Sequence, residues 1–150
     1  MATKLIATEY VSSTRPFTLR RRVRWSECDP AGVVFAGNFS IYLHNAVALF
    51  RTEVLGGFTA PAKAVSLVFH RALWPDEEFD MAVYVSAVRN STIEFRVIAT
   101  TGANKRGREK VFDGSVTAIC IKKTERKAAP LPASTRKLAE AYARRCPVPA

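Results

Sequence analysis

The chain has 150 residues, 48% of them hydrophobic and 24% charged, which is the composition of one ordinary globular domain able to bury a core without metal or disulfides. Its 23 Lys and Arg outnumber 13 Asp and Glu, and the net charge of +10 points to anionic partners without choosing among nucleic acid, a membrane surface, phosphorylated cofactors and acidic carrier proteins. Cys28, Cys120 and Cys146 are widely spaced and form no CxxC or Cys/His cluster, which argues against a disulfide framework and a zinc site, and no apolar run approaches the roughly 20 residues that cross a bilayer.

These features predict a single cytoplasmic domain over residues 1–150, with flexible ends at 1–14 and 146–150 and with no cofactor, metal or membrane partner. From Phe17 the sequence alternates, with Phe17, Leu19, Val23 and Trp25 on one side and Thr18, Arg20, Arg22 and Arg24 on the other, as in a half-buried strand. Arg21 falls on the apolar side, which suits a strand edge or a pocket mouth. The segment Ser26 to Gly32 contains Asp29-Pro30 and reads as an ordered loop. A helix follows, capped by Asn38, with Phe39, Leu43, Ala46, Val47, Phe50 and Val54 at helical spacing and Gly56-Gly57 at its end. Ile41, Tyr42, Leu49 and Leu55 widen its apolar surface, so the helix should be wrapped by other structure.

Four strands come next, over Ala64–Leu73, Phe79–Val88, Thr92–Thr101 and Val111–Lys122, joined by turn residues as in an antiparallel meander. Ser134–Arg145 reads as a short exposed helix. The fold class is therefore α+β: an antiparallel sheet of about five strands curled around one long helix, with a short C-terminal helix. The uncovered sheet edges call for a homo-oligomer.

Candidate catalytic groups are few. The chain has two histidines and lacks GxSxG, HExxH, Walker and dinucleotide-binding patterns. Asp29 is the exception, because its loop delivers the chain into the long helix and so brings a carboxylate close to unpaired helix N–H groups able to hold an oxyanion. On composition alone Asp29 would be an Asx-turn residue before Pro30. The stretch Arg24 to Phe39, however, and Cys28-Asp29-Pro30-Ala31-Gly32-Val33-Val34-Phe35 above all, resembles the signature of the 4-hydroxybenzoyl-CoA thioesterase family of hotdog-fold enzymes.

The resemblance runs from about Phe17 to Leu138 and implies an acyl-CoA thioesterase. In it Asp29 is the nucleophile or general base, and the backbone N–H groups of Phe35, Ala36 and Gly37 polarise the thioester carbonyl. Arg89, Asn90 and Ser91 resemble the turn that meets the coenzyme A phosphates, with Lys122 or Lys123 as weaker contributors. It also implies active sites shared between subunits of a homodimer or homotetramer. Two positions depart from the family: Ala36 stands where relatives commonly have Tyr or His, and His44 where they often have Asp or Glu. His44 is a possible second polar group, His70 is read as structural, Cys28 as a packed thiol and Glu27 as a salt-bridge residue.

An acyl-carrier-protein thioesterase is the nearest alternative, since acidic carriers also suit a basic rim. A non-catalytic acyl-CoA-binding protein is another. Nucleic-acid binding is disfavoured by the lack of any RNP-type or helix-turn-helix pattern. Phe35, Phe39, Tyr42, Phe58, Leu67 and Phe69 are the candidate lining of an acyl pocket.

Overall fold

Period-two alternation becomes, in three dimensions, a set of inward-facing rows running across a sheet. A computed structural model describes residues 2–3, 7–102 and 107–150. Its strands are β1 (Glu9–Thr14), β2 (Phe17–Arg22), β3 (Ala62–Phe69), β4 (Glu78–Val88), β5 (Thr92–Thr101) and β6 (Lys110–Ile119), in the spatial order β1-β2-β4-β5-β6-β3 with every pair antiparallel. One row reads Leu19, Met81, Ala99, Phe112, Phe69; a second reads Val83, Val97, Gly114, Leu67; a third reads Val85, Phe95, Val116, Val65.

Across those rows lies α1 (Ala36–Glu53), which buries Phe39, Tyr42, Leu43, Ala46, Val47 and Phe50. Leu43 of the helix packs closely over Gly114, where an added Cβ would stand 3.0 Å from Leu67 Cδ1 and 3.1 Å from Leu43 Cδ1, so a larger residue there would have to push these leucines back. Phe39 packs on Phe112 and Phe69 at the first row, with centroids 5.8 and 5.1 Å away, and Phe50 packs on Phe95 at the third row at 5.8 Å. The sheet thus wraps one side of the helix. Ile41, His44, Asn45 and Ala48 remain exposed on the other, so the all-round wrapping predicted for α1 is not completed within one protomer.

The hotdog arrangement agrees with the expected α+β fold, with local corrections. The sheet has a sixth strand. Glu9–Thr14, inside the stretch expected to be a flexible end, pairs with β2 through a hairpin turning at Arg15-Pro16. Trp25 is not inward-facing; it lies in a short 3-10 turn, Trp25–Glu27, is 70% exposed and donates from Nε1 to Asp76 Oδ2 at 3.2 Å. The long last strand breaks at Cys120, whose N–H donates to Ser91 O at 2.7 Å, and Ile121–Lys122 (β7) then pairs with Lys127–Ala128 (β8). The C-terminal helix α2 (Ala133–Arg145) is not simply exposed, since Thr135, Ala139 and Tyr142 are buried and Tyr142 packs edge-on against Phe50 at 4.7 Å.

Candidate active site

The loop between β2 and α1 closes on itself through its main chain. Cys28 and Val34 form an antiparallel bridge, Asp29 N–H donates to Val33 O at 2.8 Å, and Gly32 N–H returns to Asp29 O at 2.9 Å. Gly32 has φ +82°, a left-handed conformation that glycine adopts without strain. Ala31 N–H donates to Asp29 Oδ1 at 2.9 Å. The Asx-turn geometry is therefore present and uses one carboxylate oxygen, while Oδ2 accepts no hydrogen bond among the described residues. Val34 N–H donates to Leu73 O at 2.9 Å and ties the loop to the end of the β3 side of the sheet.

Downstream, the chain enters α1 at Ala36. Phe35 N–H is already committed, donating to Glu27 O at 3.0 Å, and so it is not free to polarise a carbonyl as expected. The N–H groups of Ala36 and Gly37 have no protein acceptor among the described residues, as is normal for a first helical turn, and they carry the positive end of the helix dipole. The Phe35 ring lies over Gly37, where an added Cβ would come within 2.7 Å of Cε1. Asn38, expected to cap the helix, sits inside the first turn and donates from Nδ2 to Glu27 O at 2.8 Å.

Behind the loop is a group of charges. The Arg21 guanidinium binds Glu9 through Nη1 and Glu27 through Nη2, and its Cζ lies 4.8 Å over the Tyr42 ring. Burial opposes the Arg21 charge, but Glu27 and Glu9 outweigh that penalty and hold it protonated more firmly than an ordinary arginine. Tyr42 is pushed well above the usual phenol range, chiefly by burial and then by the nearby Glu27 charge. Burial also raises the Cys28 thiol, helped by the Glu27, Asp29 and Asp76 charges, and keeps it in the protonated, weakly nucleophilic form.

The other predicted site residues lie elsewhere. Arg89, Asn90 and Ser91 join β4 to β5 at the far end of the sheet, a β4 length of roughly 30 Å from the Asp29 end. Arg89 is exposed and stands 3.7 Å from Glu94, while the carbonyl oxygens of Asn90 and Ser91 accept N–H groups from Leu131 and Cys120. Lys122 is at the same end and pairs with Glu125 at 3.1 Å. His44 is on the open face of α1, about 12 Å along the helix axis from its first residue, and its ring makes no hydrogen bond among the described residues. Among the candidate pocket residues, Phe39, Tyr42 and Phe58 are core, whereas Phe35 and Phe69 keep 57% and 50% of their surface. Trp74, unmarked by any motif, is 54% exposed beside Leu73 and joins them.

Several cavities lie among the described residues. One, about 600 Å³, is on the outer face of the sheet between Arg20, Asp80, Arg96 and Arg108, away from Asp29. Another of about 290 Å³ lies at the Arg89 end, walled by Arg51, Thr59, Cys120, Ile121 and Lys123 among others. Among the described residues no group of three or more His, Cys, Asp and Glu is placed to hold a metal ion, and no helix is long and apolar enough to cross a membrane.

No curated protein matches the chain in sequence. Solved structures share its fold. A hypothetical protein of Staphylococcus aureus in complex with CoA superposes with a TM-score of 0.81 at 14% identity, covering 98% of this chain and 92% of that one. The 1,4-dihydroxy-2-naphthoyl-CoA thioesterase of Synechocystis gives 0.73 at 20% identity, over 82% and 94% of the two chains. A mutant 4-hydroxybenzoyl CoA thioesterase complexed with 4-hydroxybenzoyl CoA gives 0.72 at 18%, over 83% and 99%. The family model of the thioesterase-like superfamily matches residues 23–139, from the strand end before Asp29 to the middle of α2, and the chain belongs to that superfamily of thioester-hydrolysing enzymes.

Proposed function

We propose that this chain hydrolyses acyl or aryl thioesters of coenzyme A with Asp29 as its catalytic carboxylate. One observation carries the reading: Asp29 is locked by main-chain hydrogen bonds on the loop that delivers the acceptor-free N–H groups of Ala36 and Gly37. A thioester carbonyl oxygen bound to those two amides becomes anionic as the carbon is attacked, and the helix dipole favours that charge. Asp29 either attacks the carbon, to form an anhydride that water then cleaves, or takes the proton from an attacking water. In both routes the C–S bond breaks, and coenzyme A leaves as the thiol once it regains a proton.

The site becomes complete when two copies pair through β3. This strand is a free edge of the sheet and shows exposed Val65, Val68 and Phe69. Its Phe69 end adjoins α1 and the Asp29 loop through Phe39 and Leu73, whereas at its other end Pro61 O accepts Ile119 N–H, next to the Ser91–Cys120 contact. An antiparallel two-fold pairing sets the first end of one copy against the second end of the other. Asp29 of one protomer then meets the Arg89-Asn90-Ser91 turn, Lys122 and the Arg51–Lys123 cavity of its partner, all suited to nucleotide phosphates. The acyl group would enter past Phe35, Phe69 and Trp74.

The test is thiol release from aryl, short-chain and long-chain acyl-CoA, with matched acyl-carrier-protein substrates alongside. At least one CoA class should turn over. Asp29→Asn keeps the acceptor for Ala31 N–H and should lower kcat about 100- to 10,000-fold, with folding stability changed by only about 0.5 kcal/mol. Hydrolysis at the unaltered rate by Asp29→Asn would refute the assignment.

A further inference from the structure

The Asp29 loop is short, and its two ends converge on one residue. Glu27 uses four acceptor positions at once. Its Oε1 accepts the Arg24 N–H at 2.8 Å and its Oε2 accepts Arg21, while its carbonyl oxygen accepts both the Phe35 N–H at 3.0 Å and Asn38 Nδ2 at 2.8 Å. The first closes the Trp25–Glu27 turn on itself, and the second fixes the loop's upstream end to β2. The last two fix its downstream end, including the residue just before the free amides. The anchoring guanidinium is itself braced by Glu9 from β1 and by the face of Tyr42 from α1.

We infer that Glu27 and Asn38 are positioning residues for the reaction, setting where Asp29 stands relative to the Ala36 and Gly37 amides; the inference rests on the Asp29 reading above. The chemistry explains why this device is needed. The carboxylate and the oxyanion donors belong to different segments, so their separation is set only by how the loop closes. Hydrolysis tolerates little error there, because a misplacement of about 1 Å can cost on the order of a hundredfold in rate.

An ordinary structural salt bridge does not need such an arrangement. Arg21 sits largely out of solvent, and among the described residues neither its Nε nor the Tyr42 hydroxyl beside it has a hydrogen-bond partner, so the cluster forgoes hydrogen bonds it could make. What it achieves is a rigid junction of β1, β2, the loop and α1 at one point. The contacts of this junction do not use Asp29 Oδ2, which accepts no hydrogen bond among the described residues.

Glu27→Gln and Asn38→Ala test this. Glu27→Gln retains an acceptor for Arg24 N–H but withdraws one of the two charges that hold Arg21. Asn38→Ala removes only the latch from the helix and leaves every charge in place, so it decides the matter if Glu27→Gln fails to fold. Measured well below the melting temperature, each should lower kcat by about 10- to 100-fold while KM and the affinity for free CoA stay within about twofold. Asp29→Asn is measured in parallel. If it is inactive and a folded clamp variant turns over at the unaltered rate, or loses KM and kcat in proportion, the positioning role is overturned and the Asp29 reading stands. If Asp29→Asn is active, the site itself is wrong and the clamp falls with it.

Discussion

Tyr142 ties α2 to two strands of the sheet, and its hydroxyl makes two buried hydrogen bonds. It accepts the Phe17 N–H at 2.9 Å and donates to Val83 O at 2.6 Å, with the whole side chain shielded from solvent. Tyr142→Phe preserves the ring, its edge contact with Phe50 and the Arg145 guanidinium 5.4 Å above it, and removes only the oxygen. Each lost bond is worth about 1 kcal/mol net, and the stranded Phe17 N–H adds a desolvation cost of about 1–3 kcal/mol. The expected total is about 3–5 kcal/mol. At about 2–4 °C per kcal/mol for a chain of this length, Tm should fall by roughly 6–20 °C. Thermal and urea melts at fixed protein concentration would measure it, since association also shifts Tm. Turnover at 25 °C should be unchanged, because neither strand position touches the Asp29 loop. A Tm shift below about 2 °C would refute the reasoning, for it would mean that the Phe17 amide and Val83 carbonyl find other partners at no cost.

Two further outcomes test the shared site. Arg89→Ala should raise KM for acyl-CoA about tenfold at low salt, with the effect shrinking as salt screens the phosphates, and an unchanged KM at low salt would remove Arg89 from the nucleotide site. Val65→Lys places a charge on the helix-facing side of the free β3 edge and should give a smaller species in sedimentation together with loss of turnover; a fully active monomer would refute pairing through β3.

Much of the fold was legible because each face of the sheet keeps its period. Thr92–Thr101 appears with the expected limits, as its inward side chains alternate without interruption from Ile93 through Phe95 to Thr101. β1 was missed for the opposite reason. Glu9–Thr14 is exposed or half-buried throughout and is held by ladder hydrogen bonds to β2, which any backbone can make, so its side chains carry no stripe. The exposed helix expected over Ser134–Arg145 is exposed only in part: Leu138 is 43% exposed while Tyr142 is buried, because the helix turns its one aromatic, and not its leucine, toward Phe50.

At the site, local chemistry was readable and long-range partnership was not. The Asp29 loop announced itself through a short continuous motif, and the hydrogen bonds that close it from Glu27 to Asn38 are local, while Val34 reaches Leu73, the Trp25 indole reaches Asp76 and the Glu27 carboxylate reaches Arg21. Local pattern still misassigned two residues: Asn38 has the side chain of a cap but meets a carbonyl eleven residues upstream, and Phe35 has an amide that the loop itself consumes. Arg21 shows the limit most clearly. It broke the alternation of β2, and only the fold brings Glu9, Glu27 and Tyr42 around it from three separate segments to make a buried cation tolerable. For Arg89 the reach is longer again. One protomer holds it at the opposite end of the sheet from Asp29, and no spacing in a single chain encodes a contact that a two-fold axis would create. What the sequence does contain is the means for it: an edge strand with Val65 and Phe69 turned to the helix side, one end near the carboxylate and the other near the basic turn. A pairing that buries this edge, as proposed above, would bring the Asp29 loop of one copy to the basic turn of the other without any further contact being specified.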